Sequence, residues 1–221
     1  VVRYNCDTTR GDYEAQIWYE LNRNKITLSM LGDLCKDKAV LDLGSAHWVE
    51  KTLLKQLGAN SITKVDIAPA PDDGDTLKID ACDTKLPDKS YDVVICRELI
   101  EHITDPNKLL SEIYRMLKDG GYLLITTPNA YALPPDGKNH LRGYTLKGFI
   151  ETIERYFKII DKRGNIPNVF ITLLPAFENG LTFVLREFKE LAKIMETTSD
   201  SYYFGTNLFI LAQKGMRLPN V

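Results

Sequence analysis

Short apolar runs alternate with longer segments of helical periodicity along most of the chain. The runs are rich in aliphatic and β-branched residues, and several end at Gly, Asp or Pro, which is typical of buried strands. Seven strands are predicted on this basis, at residues 39–44, 62–67, 77–80, 91–96, 122–127, 157–162 and 207–212.

Segments in which apolar residues recur every three or four positions are predicted as helices, at residues 17–34, 49–57, 106–117, 146–156 and 181–195. Asp105 and Pro106 are typical of an N-cap and a first helical position, Thr145 is a second candidate cap, and Gly120–Gly121 is expected to end the helix that Asp105 begins. Strands that alternate with helices indicate an α/β protein. We predict a doubly wound, seven-stranded, mostly parallel Rossmann-like sheet with helices on both faces and an N-terminal helical cap.

Such a sheet binds ligands at the carboxyl ends of its strands, so the residues after each strand form the candidate site. Asp42, Gly44 and Ser45 end the first predicted strand, and Asp66 ends the second, 22 residues after Gly44. An acid about 20 residues beyond a glycine turn is placed to accept hydrogen bonds from ribose hydroxyls. The backbone N–H groups of the turn, at the start of a helix, favour an anionic ligand.

Composition narrows the choice of partner and compartment. The chain has 28 basic and 30 acidic residues and a net charge of −2, which disfavours RNA because phosphate backbones are usually bound by a basic surface. No apolar run is long enough to cross a bilayer and no signal-peptide core is seen at the start, so we predict a cytoplasmic protein without membrane contact. Cys6, Cys35, Cys82 and Cys96 form no CxxC pair, which favours reduced thiols.

Eight ordered segments resemble the class I S-adenosylmethionine-dependent methyltransferases, of the small soluble "methyltransferase domain" type. They lie within residues 39–162, and the resemblance resumes at residues 207–214. The matching segments are 40–44 (VLDLG), 65–67 (VDI), 79–83 (IDACD), 86–94 (LPDKSYDVV), 98–106 (ELIEHITDP), 117–121 (LKDGG), 127–129 (TPN) and 140–145 (HLRGYT).

The resemblance implies S-adenosyl-L-methionine as the cofactor and a role for each matching residue. The turn after the first strand would cradle the methionine part, and the acid after the second would hold both ribose hydroxyls. Asp80, after the third, would accept a hydrogen bond from the adenine amino group, with Asp83 as the alternative to it. The implied cofactor-binding residues are Asp42, Gly44, Ser45, Ala46, Asp66, Ile67, Asp80, Ala81, Cys96 and Arg97.

The first motif departs from the family pattern at two positions. Ala46 and Trp48 stand where most members have Gly. The alternative reading is therefore that cofactor binding is weakened, and that the chain is a non-catalytic binding subunit.

The resemblance also implies one methyltransferase domain over residues 1–221. We divide it into a helical cap (1–36), a cofactor-binding core (37–163), an insert (164–206) and the last strand (207–215). The expected reaction is methyl transfer to an O or N acceptor on a small molecule. Tyr13, Tyr19 and Arg23 are the candidate substrate residues, since they are placed to close over the cofactor.

His102 and His140 are the candidate catalytic bases. His102 follows the fourth strand and His140 lies in the loop after the fifth, while His47 belongs to the cofactor turn. A general base is useful when the acceptor is a hydroxyl. The alternative for His102 is a hydrogen bond that only shapes the site.

No metal ligand is assigned, but a metal site is kept as an alternative. Glu98, Glu101 and His102 have i, i+3, i+4 spacing, which predicts one helix face, and His140 would arrive from the opposite loop. Such a donor set suits Mn²⁺, Fe²⁺ or Zn²⁺. This donor set is similar to that of small-RNA 3′-terminal 2′-O-methyltransferases, in which a divalent ion binds the terminal ribose hydroxyls.

Overall fold

The computed structural model describes residues 23–45, 56–69, 74–131, 140–165 and 205–215. Seven strands form one sheet in the order β3-β2-β1-β4-β5-β7-β6. They are β1 (Ala39–Leu43), β2 (Ser61–Asp66), β3 (Thr76–Lys78), β4 (Tyr91–Arg97), β5 (Leu117–Pro128), β6 (Lys158–Gly164) and β7 (Asn207–Gln213). The first five strands pair in parallel, and β7 lies antiparallel between β5 and β6. The predicted fold class is confirmed.

Three helices of the described residues pack on this sheet: α1 (23–31), α2 (Pro106–Met116) and α3 (Leu146–Glu154). Both predicted caps are confirmed, because Asp105 accepts a hydrogen bond from the Asn107 N–H at 3.0 Å and Thr145 accepts one from the Gly148 N–H at 3.1 Å. Short 3₁₀ turns follow α1 (Gly32–Cys35) and β4 (Ile100–His102). The helix predicted at 181–195, and most of the one at 49–57, lie outside the described residues.

The expected role of the Gly120–Gly121 pair is wrong. Helix α2 already ends at Met116, and both glycines lie inside β5. There the register with β4 shifts, and a Cβ on Gly121 would come within 3.0 Å of the Asp92 carbonyl oxygen. The glycines therefore serve an irregularity of the sheet: Gly120 has a left-handed φ of +78°, and a side chain has no room at Gly121.

The core has two layers because successive residues of a strand point to opposite faces. Val94 and Cys96 pack with α2 and α3, whereas Val93 and Ile95 pack with α1. The described part of the predicted cap thus covers one face of the sheet and contributes Ile26, Met30 and Leu31 to its core. Within the described ranges, no helix has the length and apolar character that crossing a membrane requires.

Candidate active site

The turn after β1 lies at the carboxyl edge of the sheet. The N–H groups of Gly44 and Ser45 donate to the Val65 carbonyl at 2.8 and 3.2 Å, which joins the turn to β2. Gly44 has φ +81°, and a Cβ there would lie 3.3 Å from the Leu99 side chain. Glycine is therefore required twice, for its backbone conformation and for the close approach of Leu99. Ala46, His47 and Trp48 lie outside the described residues.

A nearly buried carboxylate and an exposed apolar side chain stand side by side at the end of β2. Asp66 is 9% exposed, and its Oδ1 accepts a hydrogen bond from the Ala68 N–H at 2.7 Å. Ile67 is 67% exposed, an unusual position for a large aliphatic side chain. This arrangement fits a nucleoside: the fixed carboxylate is suited to accept hydrogen bonds from the ribose hydroxyls, and the apolar side chain is suited to pack against the flat base.

Two further acids occupy the same edge. The Asp80 carboxylate accepts a hydrogen bond from the Cys82 N–H at 2.8 Å, and Ala81 between them is buried. Asp42, at the end of β1, is 2% exposed. The residues predicted to bind the nucleoside therefore lie on three neighbouring strand ends.

The end of β4 is held against α1. Arg97 is buried and its Nη1 donates to the Asn24 side-chain oxygen at 2.8 Å. Cys96 is fully buried, and burial raises the pKa of its thiol well above the ordinary value. The Cys96 side chain therefore belongs to the hydrophobic core.

Glu101, His102 and His140 form what we call the acceptor cluster. Their potential ligand atoms all lie within 4.8 Å of one another, and the two imidazole centroids are 5.1 Å apart. The His102 Nε2 is 3.8 Å from the Glu101 carboxylate. The Leu141 N–H donates to the Glu101 carbonyl at 3.0 Å and so fixes the loop after β5 against the turn after β4. The structure thus brings together two predicted catalytic histidines that are distant in sequence.

Glu101 is the buried member of this cluster, with only 1% of the residue exposed. The Thr127 hydroxyl donates to its carboxylate at 3.2 Å. Burial, together with the neighbouring Glu98 carboxylate, raises the pKa of Glu101 well above its usual range. The group therefore holds a proton readily, or is ionised beside a cation such as a protonated imidazole or a metal ion.

The expectation that Glu98, Glu101 and His102 share one helix face is wrong. Glu98 adopts a left-handed φ of +49° and precedes the 3₁₀ turn Ile100–His102. Its carboxylate points to Arg23, Thr126 and Asn207, not to the imidazoles. The reason is local: β4 ends at Arg97, and the chain must turn sharply before the 3₁₀ turn begins.

The predicted substrate residues are described only in part. Arg23 is 8% exposed, with its guanidinium 3.5 Å from the Glu98 carboxylate, and Tyr13 and Tyr19 lie outside the described residues. Sequence reasoning gave no role to Thr127 or Asn207, because their partners are 26 and 109 residues away and no local motif marks them. The assigned functions of the individual site residues stay predictions.

Residues 13–161 match the family model for a methyltransferase domain. The match covers about two thirds of the chain, and the chain belongs to this family of class I methyltransferases. S-adenosylmethionine is the cofactor, as the sequence predicts, and the carboxylate of Asp66, the Gly44 turn and the apolar Ile67 fit its nucleoside.

Individual relatives agree on the fold and differ in chemistry. A ubiquinone biosynthesis O-methyltransferase from Pseudomonas entomophila is 30% identical over 122 residues, which is 47% of this chain and 52% of that protein. The chain thus spans about half the length of this curated relative. A structure of phosphoethanolamine N-methyltransferase 2 from Haemonchus contortus with S-adenosyl-L-methionine has TM-score 0.60 and 22% identity, covering 88% of this chain and 53% of that one. The [4+2]-cyclase SpnF has TM-score 0.59 and 17% identity, covering 88% and 82%. The shared fold therefore leaves the reaction to be argued from the site.

Proposed function

We propose that this chain is an S-adenosylmethionine-dependent methyltransferase that acts on a hydroxyl oxygen of a small organic molecule. The observation that carries the proposal is the acceptor cluster, which places two imidazoles and a carboxyl group beside the end of β4. The name of the ubiquinone biosynthesis relative supports oxygen as the acceptor atom.

The cofactor side of the site is built from main-chain and carboxylate groups. Asp66 would hold the ribose hydroxyls, Asp80 and the Ala81 N–H would contact the adenine, and the turn at Gly44 would carry the methionine part. Bound in this way, the cofactor supplies an electrophilic methyl group on a positively charged sulfur. The protein then has mainly to align the acceptor oxygen, a task that contributes several kcal/mol and about 7–11 kcal/mol in the best cases.

On the acceptor side, the base would be His102 or His140. A neutral imidazole accepts the hydroxyl proton at a ring nitrogen, and the nearby Glu101 carboxylate stabilises the imidazolium. Proton transfer is easiest when donor and acceptor have similar affinities for the proton, so a phenolic hydroxyl with a pKa of about 10 suits an imidazole better than an aliphatic alcohol. The exposed side chain of Leu141, whose N–H donates to the Glu101 carbonyl, provides apolar surface next to the cluster.

Turnover measurements test the base. The purified chain is assayed for S-adenosylhomocysteine formation with matched panels of phenols, aliphatic alcohols and amines. We expect the phenols to react fastest, with His102→Ala or His140→Ala lowering kcat at least ~10-fold, because a positioned base contributes roughly 10²–10⁴ in rate. Lys147→Ala, on the exposed face of α3, is the control. Preference for amines together with unchanged turnover in both histidine variants would refute hydroxyl deprotonation.

Cofactor binding is tested separately by isothermal titration with S-adenosylhomocysteine. Asp66→Ala should weaken binding ~10-fold or more, since hydrogen bonds to a charged group contribute roughly 1.5–3 kcal/mol. Asp161→Ala, on the edge strand β6, is the matched control. If the wild-type chain gave no heat at millimolar ligand, the departures at Ala46 and Trp48 would have removed the site, and the non-catalytic subunit would become the better proposal.

A second candidate is metal-assisted transfer, and one observation favours it. Glu101, His102 and His140 offer a carboxylate and two imidazoles within 4.8 Å, and the Glu101 Oε1 accepts no hydrogen bond from any described residue. Two imidazoles and one carboxylate fit a divalent transition metal with open positions. The ion would bind the acceptor oxygen and favour its deprotonated form. Neighbouring hydroxyls, as at an RNA 3′ end, are the acceptor class that this arrangement suits.

Metal analysis distinguishes the two mechanisms. In the metal-assisted case the isolated chain binds about one equivalent of Zn²⁺ or Mn²⁺, Glu101→Gln and His140→Ala lose it, and EDTA abolishes turnover. In the imidazole-base case turnover is unchanged by EDTA and the variants show no difference in metal content. An RNA oligonucleotide with a free 3′-terminal diol, added to the acceptor panel, tests the RNA alternative directly.

A further inference from the structure

Glu98 has an uncommon backbone conformation at the point where β4 leads into the acceptor cluster. Its φ of +49° lies in the left-handed region, which is sparsely populated by residues other than glycine, Asn and Asp. Its N–H is directed at Thr126, 3.2 Å from both the carbonyl and the hydroxyl oxygen. Such a conformation persists when surrounding contacts fix it, and these positions cluster at functional sites.

Side-chain contacts from three other elements meet at the Glu98 carboxylate. The Thr126 hydroxyl of β5 donates to one oxygen at 2.7 Å, and the Asn207 amide of β7 donates to the other at 2.6 Å. The Arg23 guanidinium of α1 lies 3.5 Å from the first oxygen. All three partners are at least nine-tenths buried, so the carboxylate is held from several directions inside the protein.

Asn207 is itself held in a fixed orientation. Its N–H donates to the Asn165 side-chain oxygen at 2.8 Å. The same oxygen accepts a hydrogen bond at 2.7 Å from the Thr206 hydroxyl, which lies 3.3 Å from the Asn207 side-chain oxygen. The amide nitrogen is therefore directed at Glu98. The Asn207 side chain is thus a hydrogen-bond donor that requires a hydrogen-bond acceptor at position 98.

The turn that Glu98 makes connects the two halves of the site. The next residue, Leu99, packs its side chain over Gly44 in the cofactor turn. The 3₁₀ turn that follows carries Glu101 and His102 into the acceptor cluster. A change in the turn at Glu98 thus moves the acceptor groups relative to the cofactor turn.

We propose that Glu98 is a positioning residue: its carboxylate, bound by Thr126, Asn207 and Arg23, fixes the left-handed turn that aligns the acceptor cluster with the cofactor turn. Its carboxylate is directed at these three partners, whereas the group of potential metal ligands consists of Glu101, His102 and His140. The inference rests on the proposed function only where it concerns turnover, since the alignment itself is a property of the fold.

An amide swap between positions 98 and 207 tests the proposal. In Glu98→Gln, one side-chain N–H must face a donor, either Asn207 or Arg23, whichever way the amide is turned. In Asn207→Asp, two carboxylates face each other. In the double variant Glu98→Gln/Asn207→Asp, the amide at position 98 can donate a hydrogen bond to the carboxylate at position 207. The pair then has the same total charge as in the wild type.

We expect each single variant to lower kcat at least ~10-fold while the affinity for S-adenosylhomocysteine changes less than ~3-fold, and the double variant to recover most of the loss, as coupled neighbours do. Thr126→Val, which removes one donor and keeps the carboxylate, should give a smaller loss of the same kind. It also serves if Glu98→Gln does not fold. Unchanged kcat in the single variants, loss of cofactor affinity in parallel with kcat, or no recovery in the double variant would each overturn the proposal.

A second readout does not depend on turnover. The chain has three histidines, so their Cε1–H signals in ¹H NMR spectra can be assigned from the His102→Ala and His140→Ala variants. The His102 signal should shift in Glu98→Gln and return in the double variant. If the wild-type chain turned over no acceptor, the proposed function would fail while this shift still supported the positioning role; an unmoved His102 signal would refute the positioning role alone.

Discussion

At the scale of single residues, the same backbone conformation has different consequences at two glycines. Gly44 and Gly120 have φ of +81° and +78°. A Cβ on Gly44 would meet Leu99 at 3.3 Å, whereas a Cβ on Gly120 has no described atom within 4 Å. The comparison separates the intrinsic cost of a left-handed conformation from the effect on the candidate site.

Gly44→Ala and Gly120→Ala should therefore both destabilise the fold, each by about 1–2 kcal/mol, because a side chain is strained in the left-handed region. Only Gly44→Ala should also weaken S-adenosylhomocysteine binding, at least ~5-fold or about 1 kcal/mol, since Leu99 must move at the cofactor turn. Urea denaturation and isothermal titration measure the two effects. Equal cofactor affinity in the two variants would argue against the assigned role of Gly44.

At the scale of elements, helix α2 is joined to the loop after β3 by hydrogen bonds from Thr84 to the half-buried Glu112 carboxylate. The Glu112 carboxylate accepts hydrogen bonds from Arg115 at 2.7 and 2.9 Å, from the Thr84 N–H at 2.9 Å and from the Thr84 hydroxyl at 2.7 Å. The bonds from Arg115, followed by those from Thr84, lower the pKa of Glu112 to about 2. The loop that carries Asp80 and Ala81 is thus attached to a helix on the opposite side of the core from α1.

This contact predicts how stability depends on pH. Because the pKa of Glu112 falls from 4.5 to about 2 on folding, its contribution is fully present above about pH 4.5 and is lost as the pH falls toward 2. The free energy of unfolding of the wild type should therefore exceed that of Glu112→Gln at neutral pH, and the difference should shrink across that window. Urea denaturation over the acid range measures it, with Glu151→Gln on the exposed face of α3 as the control. A difference that did not vary with pH would contradict the assignment.

At the scale of the whole molecule, β7 is the last described strand along the chain but does not lie at an edge of the sheet. Strand β7 lies between β5 and β6 and pairs with both in antiparallel register. Its entry is crowded: a Cβ on Gly205 would lie 2.6 Å from the Gly164 Cα and 2.8 Å from the Asn165 carbonyl oxygen. The chain can enter β7 here only because position 205 has no side chain.

Gly205→Ala should consequently destabilise the protein by about 1–3 kcal/mol or more, the usual cost of an added methyl group in a packed interior. Gly74→Ala, where a Cβ has no described atom within 4 Å, is the matched control and should change stability by less than about 0.5 kcal/mol. Thermal and urea unfolding measure both variants. Equal stability of the two would show that the backbone near β6 can move aside at little cost.

Several features of this protein follow from local sequence alone. The apolar runs predict the strands, and the caps at Asp105 and Thr145 predict two helix starts, because each of these patterns depends on neighbours within a few residues. The turn at Gly44 and the acid Asp66 at the ends of the first two strands predict the edge of the sheet that binds the cofactor. The family motifs add the cofactor. The start of β5 was less predictable: the strand begins at Leu117 and not at Tyr122, because the glycine pair lies at a register shift against β4 and not at a helix stop.

The tertiary structure decided the arrangement of the acceptor side of the site, of which the metal alternative anticipated the approach of His140 to His102. It placed His140 beside His102, buried Glu101 against Thr127, and turned Glu98 away from both toward Asn207, 109 residues further along the chain. The i, i+3, i+4 spacing of Glu98, Glu101 and His102 predicts that they share one helix face, which the structure does not show. Contacts of this kind depend on which strand ends become neighbours when the sheet forms, and a local pattern contains no information about partners so far away.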